Sequence, residues 1–177
     1  MVAPRTGLRL LAGRSPAHAT AYGVLMTNSV TVQRLIPAPA SAIFDLLADP
    51  GRHPEIDGSG TVVGPRSKGE RRLALGDSFG MGMDWGVNYA TKNVVVEFEE
   101  DRRLAWRTLA GKPLSYVLAG RTWRYELEPV EGGTIVRETW DISTENPLSR
   151  PVVRRLAGLT RRNMEKTLER IEQVVTT

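Results

Sequence analysis

The alternation of apolar and charged residues is most regular in the C-terminal stretch from Pro151 to Val175. When this stretch is wound at about 100° per residue, its charged side chains separate from its apolar ones. The apolar side comprises Val152, Val153, Leu156, Met164, Leu168, Ile171, Val174 and Val175. The pattern predicts a single helix roughly 37 Å long, whose apolar face needs a broad partner elsewhere in the chain.

Three polar residues, Thr160, Asn163 and Thr167, interrupt the apolar face of this helix. Buried threonine and asparagine side chains need hydrogen-bond partners. One interpretation is structural: each threonine bonds back to its own helix, and the asparagine finds a backbone group or a water. The other interpretation is that this part of the helix faces a cavity rather than a solid core.

The residues before this helix predict an α+β fold. The alternation from Val30 to Ile36 indicates a strand, and two short helical segments follow, Ala40 to Ala48 and Arg52 to Ile56. Further strand patterns have one-sided apolar faces, which indicates an antiparallel sheet with one solvated face. They cover Gly60 to Gly64, Ser78 to Asp84, Tyr89 to Glu99, Arg103 to Leu109, Thr122 to Val130 and Thr134 to Ile142.

The last of these strands carries a carboxylate among apolar residues. Glu138 lies between Val136 and Trp140 in the alternation, so it is expected to face inward with them. A buried carboxylate is costly unless it is paired or its pKa rises. A structural role would be an ion pair with an inward arginine, or a bulge that turns Glu138 outward. A functional role would be a polar anchor or a general acid/base in a ligand pocket.

The composition excludes several kinds of site. The 177 residues include no cysteine and only two histidines, which excludes disulfides, thiol chemistry and multi-histidine metal sites. The run Gly80-Met81-Gly82 does not complete a dinucleotide fingerprint, because Trp85 stands where the third glycine belongs. No metal and no cofactor are therefore expected. No apolar run approaches about 18 residues, so we expect no membrane span and a cytoplasmic protein.

The positive charge is concentrated at the N-terminus. The formal net charge is +4, but Arg5, Arg9 and Arg14 lie in a stretch without acidic residues, and the rest of the chain carries a net charge of +1. No nucleic-acid partner is therefore expected. Residues 1–28 sustain no period and are punctuated by glycine and proline, which predicts a disordered or weakly attached tail before a domain at 29–177. Alternatively, Met26 is the natural start.

The order of elements and three segments resemble a known family. The segments are Ile36 to Pro50, Pro54-Glu55 and Gly133 to Trp140. Together they resemble the polyketide cyclase/dehydrase and lipid-transport family of the START-like, Bet v 1-like (SRPBCC) superfamily, over about residues 29–176. The resemblance implies a helix-grip fold. In this fold a curved antiparallel sheet of about seven strands wraps around a long C-terminal helix. A pocket lies between the sheet and this helix, and two short helices after the first strand gate it.

The resemblance also implies which residues would contact a ligand. These are Phe79, Met81, Met83, Val96, Phe98, Trp106, Trp123, Tyr125, Glu138, Trp140, Thr160, Asn163, Met164 and Thr167. The alternative is that the apolar members fill a closed core. His53 and Glu55 lie at the expected mouth, where His53 is predicted to be a solvated loop histidine.

Two classes of function follow from the resemblance. The first is binding or carrying a hydrophobic small molecule, such as a lipid or a polyketide-like compound, in the pocket. The second is an enzyme of the cyclase/aromatase or hydrolase type that uses a pocket carboxylate, Glu138, as acid or base. The sequence contains no recognisable pairing of a nucleophile with a base, which favours binding.

Deleting residues 1–25 is expected to leave the melting temperature nearly unchanged, because their sequence has no pattern suited to packing on the domain. Thermal melts of the full and shortened chains, followed by circular dichroism, measure the difference. A drop of more than a few degrees would show that this segment packs on the domain.

Overall fold

The predicted succession of strands and helices is present in the computed structural model, which describes residues 28–66, 72–110 and 119–177. The strands are β1 (Ser29–Ile36), β2 (Val62–Pro65), β3 (Ser78–Asp84), β4 (Asn88–Glu99), β5 (Arg103–Ala110), β6 (Ala119–Val130) and β7 (Gly133–Asp141). The helices are α1 (Ala40–Ala48), α2 (His53–Ile56), α3 (Arg150–Arg154) and α4 (Ala157–Val175), with a 3-10 turn at Pro50–Arg52. The predicted tail lies outside the described residues, except for its last residue, Asn28.

The strands form one antiparallel sheet in the order β1-β7-β6-β5-β4-β3-β2. After β1 the chain passes through α1 and α2 to the far edge, β2, and then returns strand by strand until β7 pairs with β1. The turn into β7 requires Gly133: its φ is 150°, and a Cβ there would lie 2.1 Å from the carbonyl oxygen of Ile36. The predicted α+β helix-grip fold is confirmed.

A β-bulge in β4 changes which residues of this strand face inward. The pairing with β5 shifts register between Val95 and Glu97, which makes Val96 an extra residue. Before the bulge the inward side chains are therefore Asn93 and Val95, which are 4% and 2% exposed. A strict period of two along Tyr89 to Glu99 turns Val94 and Val96 inward together with Phe98; that prediction is wrong for the two valines, because it makes no allowance for the extra residue.

The C-terminal residues form two helices rather than the predicted continuous one. The backbone N–H groups of Arg155 and Leu156 donate to the carbonyls of Val152 and Val153, three residues earlier, which makes a tight turn between α3 and α4. This turn breaks the helical period, so Val153 is buried while Val152 is exposed and does not join the apolar face. Helix α4 alone, with 19 residues, is about 28 Å long.

Helix α4 packs against β1 and β7 and against the short helices α1 and α2. Its buried residues are Met164, Thr167, Leu168 and Ile171. The apolar members share one core cluster with Val32 of β1 and Val136 of β7. Arg34, on the inward side of β1, forms an ion pair with Glu172 of α4 at 2.6 Å, which ties the helix to the edge strand. No helix among the described residues has the length and apolarity to cross a membrane.

Helix α1 packs on the inner face of the sheet, where β4 and β5 pair. Its large apolar residues are all buried, and these are Ile43, Phe44, Leu46 and Leu47. Phe44 meets Phe98 edge-on, with ring centroids 5.2 Å apart, and the guanidinium of Arg72 lies over both rings. This region of the inner face is therefore a solid core without room for a ligand.

Leu168→Ala is expected to lower the free energy of unfolding by about 2–5 kcal/mol. Leu168 is 1% exposed within the contact between α4 and the sheet. Leu159→Ala, at a position that is 46% exposed on the same helix, is the matched control. It should change this free energy by less than about 0.5 kcal/mol. Urea unfolding measures both variants, and a loss below about 1 kcal/mol for Leu168→Ala would show that α4 is docked differently.

Candidate functional site

A cavity of about 280 Å³ lies between the inner face of the sheet, the loop after α2 and helix α4. Cross-strand pairing arranges many of the inward side chains of the sheet in three rows. In order along β6, the rows are Asn93–Thr108–Arg121, Val95–Trp106–Trp123–Trp140 and Leu104–Tyr125–Glu138. The side chain of Arg121, in the first row, is 24% exposed, whereas Glu138, in the third, is 2% exposed. The first row is therefore the outer end of the cavity and the third row its deep end.

Glu138 and Tyr125 form the deep end of the cavity. The hydroxyl of Tyr125 donates to Oε1 of Glu138 at 2.9 Å, while Oε2 has no hydrogen-bond partner among the described residues. Regular pairing of Glu138 with Val32 keeps the carboxyl inward, so the predicted outward bulge is wrong. The predicted ion pair with an inward arginine is also wrong, because Arg34 pairs with Glu172 instead.

Burial raises the pKa of Glu138 to about 8. The hydrogen bond from Tyr125 lowers this pKa and the negative charge of Asp57 raises it, but burial is the largest of the three effects. Burial and the neighbouring Glu138 raise the pKa of Tyr125 well above its ordinary value. Near pH 7 the carboxyl therefore keeps its proton. Because Oε1 accepts from the tyrosine, this proton belongs on Oε2.

His53 lies inside the molecule and lines the cavity. It is 8% exposed, and its Nε2 lies 2.9 Å from the carbonyl oxygen of Leu47. Its ring stacks on Trp106 at a centroid distance of 5.3 Å and meets Phe79 edge-on. The prediction of a solvated loop histidine is wrong, because α2 begins at this residue and turns its ring toward the sheet. Glu55, the other candidate at the mouth, pairs at 2.9 Å with an arginine of the preceding turn.

The loop at the cavity mouth is organised by Asp57. Its carboxylate accepts three backbone N–H groups of the next five residues, at 2.7–2.9 Å. The neighbouring Gly58 touches helix α4 so closely that a Cβ would lie 2.1 Å from the carbonyl oxygen of Asn163. Glycine is therefore required at this position, and Asp57 has a structural role in the rim.

Helix α4 supplies the opposite wall of the cavity. Thr167 accepts from the N–H of Gly58 at 3.0 Å and donates to the carbonyl of Asn163 at 3.1 Å, which agrees with the structural interpretation of this threonine. Thr160 and Asn163 line the cavity, which agrees with the alternative interpretation of these two. The polar interruption of the helix face therefore marks the level at which the solid core ends.

Most of the residues predicted to contact a ligand line this cavity. They are Phe79, Met81, Met83, Trp106, Trp123, Tyr125, Glu138, Thr160, Asn163, Met164 and Thr167. Val96, Phe98 and Trp140 do not: Val96 is the extra residue of the bulge, Phe98 packs against α1, and Trp140 is 2% exposed beside Trp123. The structure shows which residues line the cavity, and their contact with a ligand stays a prediction.

Several polar lining residues were not predicted from the sequence. They are Asp57, Ser59, Thr61, Tyr89, Thr91, Asn93, Thr108 and Arg121. The bulge concealed Asn93, because it reverses the phase of β4. Arg121 had a usable signal, since it stands two residues before Trp123 on the same alternating strand. Among the described residues no cluster of three or more His, Asp or Glu is placed to hold a metal ion.

Comparison with protein families gives one match over most of the chain. A family model described as polyketide cyclase/dehydrase and lipid transport matches residues 27–176. A protein of Mycobacterium tuberculosis, described as uncharacterized, is 35% identical over 108 residues, which cover 60% of this chain and 44% of the relative. The chain thus spans less than half the length of the curated relatives that it matches.

Solved structures share the fold at low sequence identity. A protein from Mesorhizobium loti is 22% identical, with a TM-score of 0.61, over 84% of this chain and 96% of the other. StfQ, described as a di-domain ARO/CYC from the steffimycin biosynthetic pathway, is 14% identical, with a TM-score of 0.65, over 84% of this chain and 50% of that protein. These similarities show that the chains share a common fold.

Glu138→Gln is expected to become more stable relative to the wild type as the pH rises from about 5 to about 8. Well below this range, under about pH 4, the carboxyl is mainly protonated in both the folded and the unfolded state. Within it, the unfolded state ionises near the ordinary value of 4.5 while the folded state holds its proton up to about 8. The wild type should therefore lose roughly 4 kcal/mol relative to the variant by pH 8 and little more above it.

Urea unfolding of both proteins at several pH values between 5 and 8.5 measures this difference. The other titratable groups are common to the two proteins and cancel in the comparison. A stability difference that stays constant across this range would show that Glu138 does not hold its proton in the folded state.

Proposed function

The chain belongs to the polyketide cyclase/dehydrase and lipid transport family, and from that premise we propose that its cavity binds one hydrophobic small molecule. The ligand is a lipid or a polyketide-like compound with rings, and the protein holds or carries it. The proposed site lies between the sheet and helix α4, where most of the predicted contact residues line the cavity.

The observation that carries this proposal is the Oε2 atom of Glu138, which is buried without a hydrogen-bond partner among the described residues. Leaving a buried polar atom unsatisfied costs about 1–3 kcal/mol. A stabilising role for Glu138 therefore has little support, whereas a ligand oxygen bonded to Oε2 would offset the cost. Near neutral pH the carboxyl would donate this hydrogen bond, so a ligand carbonyl or ether oxygen suits the position.

The rest of the lining supports a mainly apolar ligand. Trp106 stacks on His53 and also contacts Tyr125, with ring centroids 5.5 Å apart, so much of one wall consists of aromatic faces. Met81, Met83 and other adaptable side chains complete it. The volume of about 280 Å³ is near the lower end of the range of small-molecule sites, about 300–1,000 Å³.

A second candidate function is cyclase-type catalysis. The pKa of Glu138, raised to about 8, is suited to a group that both donates and accepts a proton near neutral pH. Tyr125 orients this carboxyl through its hydrogen bond. The two functions differ in the behaviour of Glu138→Gln: a carrier changes only in ligand affinity, whereas an enzyme loses turnover while it still binds.

Uptake of the neutral probe N-phenyl-1-naphthylamine tests the binding function, because its fluorescence rises in apolar surroundings. Thr160→Trp places a large ring on the cavity wall and is expected to weaken the probe's affinity about 5- to 150-fold, since overpacking a site costs about 1–3 kcal/mol. Leu159→Trp is the matched control, because this neighbouring position on α4 is 46% exposed. It should leave the affinity unchanged.

Circular dichroism and thermal melts establish that both tryptophan variants are folded. The proposal is contradicted if the wild type takes up no probe. It is contradicted equally if Thr160→Trp, folded, binds the probe as tightly as Leu159→Trp does, because the probe would then lie outside the cavity.

A further inference from the structure

We infer that the cavity selects ligands that carry a carboxylate at the end opposite Glu138, and that Arg121 of β6 is the residue that recognises it. The inference rests on the proposed function and adds the chemical class of the ligand: an aromatic or conjugated acid with a second oxygen at its far end. It follows from the polar first row of the cavity, which the binding of an apolar ligand does not explain.

The first row is a line of polar side chains on three adjacent strands. Asn93 pairs with Thr108 across β4 and β5, and Thr108 pairs with Arg121 across β5 and β6. The hydroxyl of Thr108 donates to Oδ1 of Asn93 at 2.8 Å, and Nδ2 of Asn93 donates to Oγ1 of Thr91 at 3.5 Å, which leaves the second N–H of the amide for a ligand. The row therefore presents N–H donors from an amide and a guanidinium, which is the complement of a carboxylate.

Arg121 has donors to spare for a ligand. Its Nη2 lies 3.4 Å from Oε1 of Glu145, at the long end of the range for a hydrogen bond, and a guanidinium has five N–H donors. Glu145 is fully buried, and its backbone carbonyl also accepts from Arg150 at 3.0 Å. Arg150 therefore contacts the backbone of Glu145, and the only polar contact of the guanidinium of Arg121 among the described residues is the long one to Oε1 of Glu145.

The other ionisable groups of the lining do not offer a second site for an anion. Asp57 is negative and holds the rim loop through its backbone N–H groups. His53 lies beside the carbonyl of Leu47 and between two aromatic rings. Glu138 is acidic. Arg121 is therefore the permanent cation of the described lining.

The spacing along β6 sets the shape of the ligand. Arg121 and Tyr125 are four residues apart on one face, so their Cα atoms are separated by about 13 Å. Trp123 lies midway between them and offers an aromatic surface. A flat acid lying along the strand would meet the guanidinium at one end, the ring of Trp123 in the middle and Oε2 of Glu138 at the other end.

The test compares a two-ring acid with its own neutral ester. 6-Hydroxy-2-naphthoate has a carboxylate and a hydroxyl at opposite ends of a rigid aromatic body, and its methyl ester differs mainly in charge. Titration calorimetry gives both affinities at pH 7 and low salt. The wild type is expected to bind the acid about 10- to 100-fold more tightly than the ester, as for a hydrogen bond to a charged group.

The informative variant is the double substitution Arg121→Gln with Glu145→Gln. It removes both members of the buried pair together, so that Glu145 is not left as an unpaired buried charge. The control is Arg124→Gln with Glu97→Gln, an ion pair between β6 and β4 whose side chains are 31% and 30% exposed. Arg124 is one residue out of phase with Trp123 and Tyr125, so it belongs to the opposite face of the sheet.

We expect the Arg121/Glu145 variant to lose the preference for the acid while it still binds the ester, and the Arg124/Glu97 control to keep that preference. Equal binding of acid and ester by the wild type would overturn the inference, although the cavity would still be a binding site. A preference that survives in the folded Arg121/Glu145 variant would also overturn it, because another group would then recognise the anion.

If the wild type binds neither compound but takes up N-phenyl-1-naphthylamine, the inference fails while the proposed function stands. If it binds none of the three, both fail.

Discussion

The contact between helix α4 and the inner face of the sheet divides the molecule into a solid core and a cavity. At the level of Leu168 and Ile171 the helix is in full contact with apolar side chains of β1 and β7. At the level of Thr160 and Asn163 the same helix face borders the cavity. Protein interiors are normally packed as densely as organic crystals, so space between helix and sheet forgoes packing energy. The closed core around α1 and around the C-terminal half of α4 must supply the stability that the cavity does not.

The same contact determines the chemistry of Glu138. With the helix in place, its carboxyl is 2% exposed and has Tyr125 as its hydrogen-bond partner. Removal from water disfavours the charged form, which is why its pKa rises despite the hydrogen bond that stabilises the anion. A carboxyl that stays neutral near pH 7 can donate a hydrogen bond or a proton, so one feature of the fold serves either binding or catalysis.

The sheet gives the two ends of the cavity different chemistry. Antiparallel pairing places polar side chains of three strands in one row, aromatic side chains in the next and the carboxyl in the third. The order runs from the partly exposed Arg121 to the buried Glu138. A cavity with different chemistry at its two ends orients an elongated ligand, whereas uniformly apolar walls would hold it in either direction. This polarity is the reason for treating the lining as a recognition surface rather than as an unfilled core.

The sequence alone determined the order of elements, the helix α1 with its buried face, and the inward position of Glu138, because periods of 3.6 and 2 follow directly from helix and strand geometry. It also indicated most of the cavity lining, through the same alternation and the family resemblance. Only the tertiary structure decided the rest. The extra residue Val96 in the bulge exchanged the inward and outward residues of β4, and the turn at Leu156 divided the last helix. His53 became part of the site through packing of α2 against the sheet, and a local period contains no information about contacts between elements that are far apart in the chain.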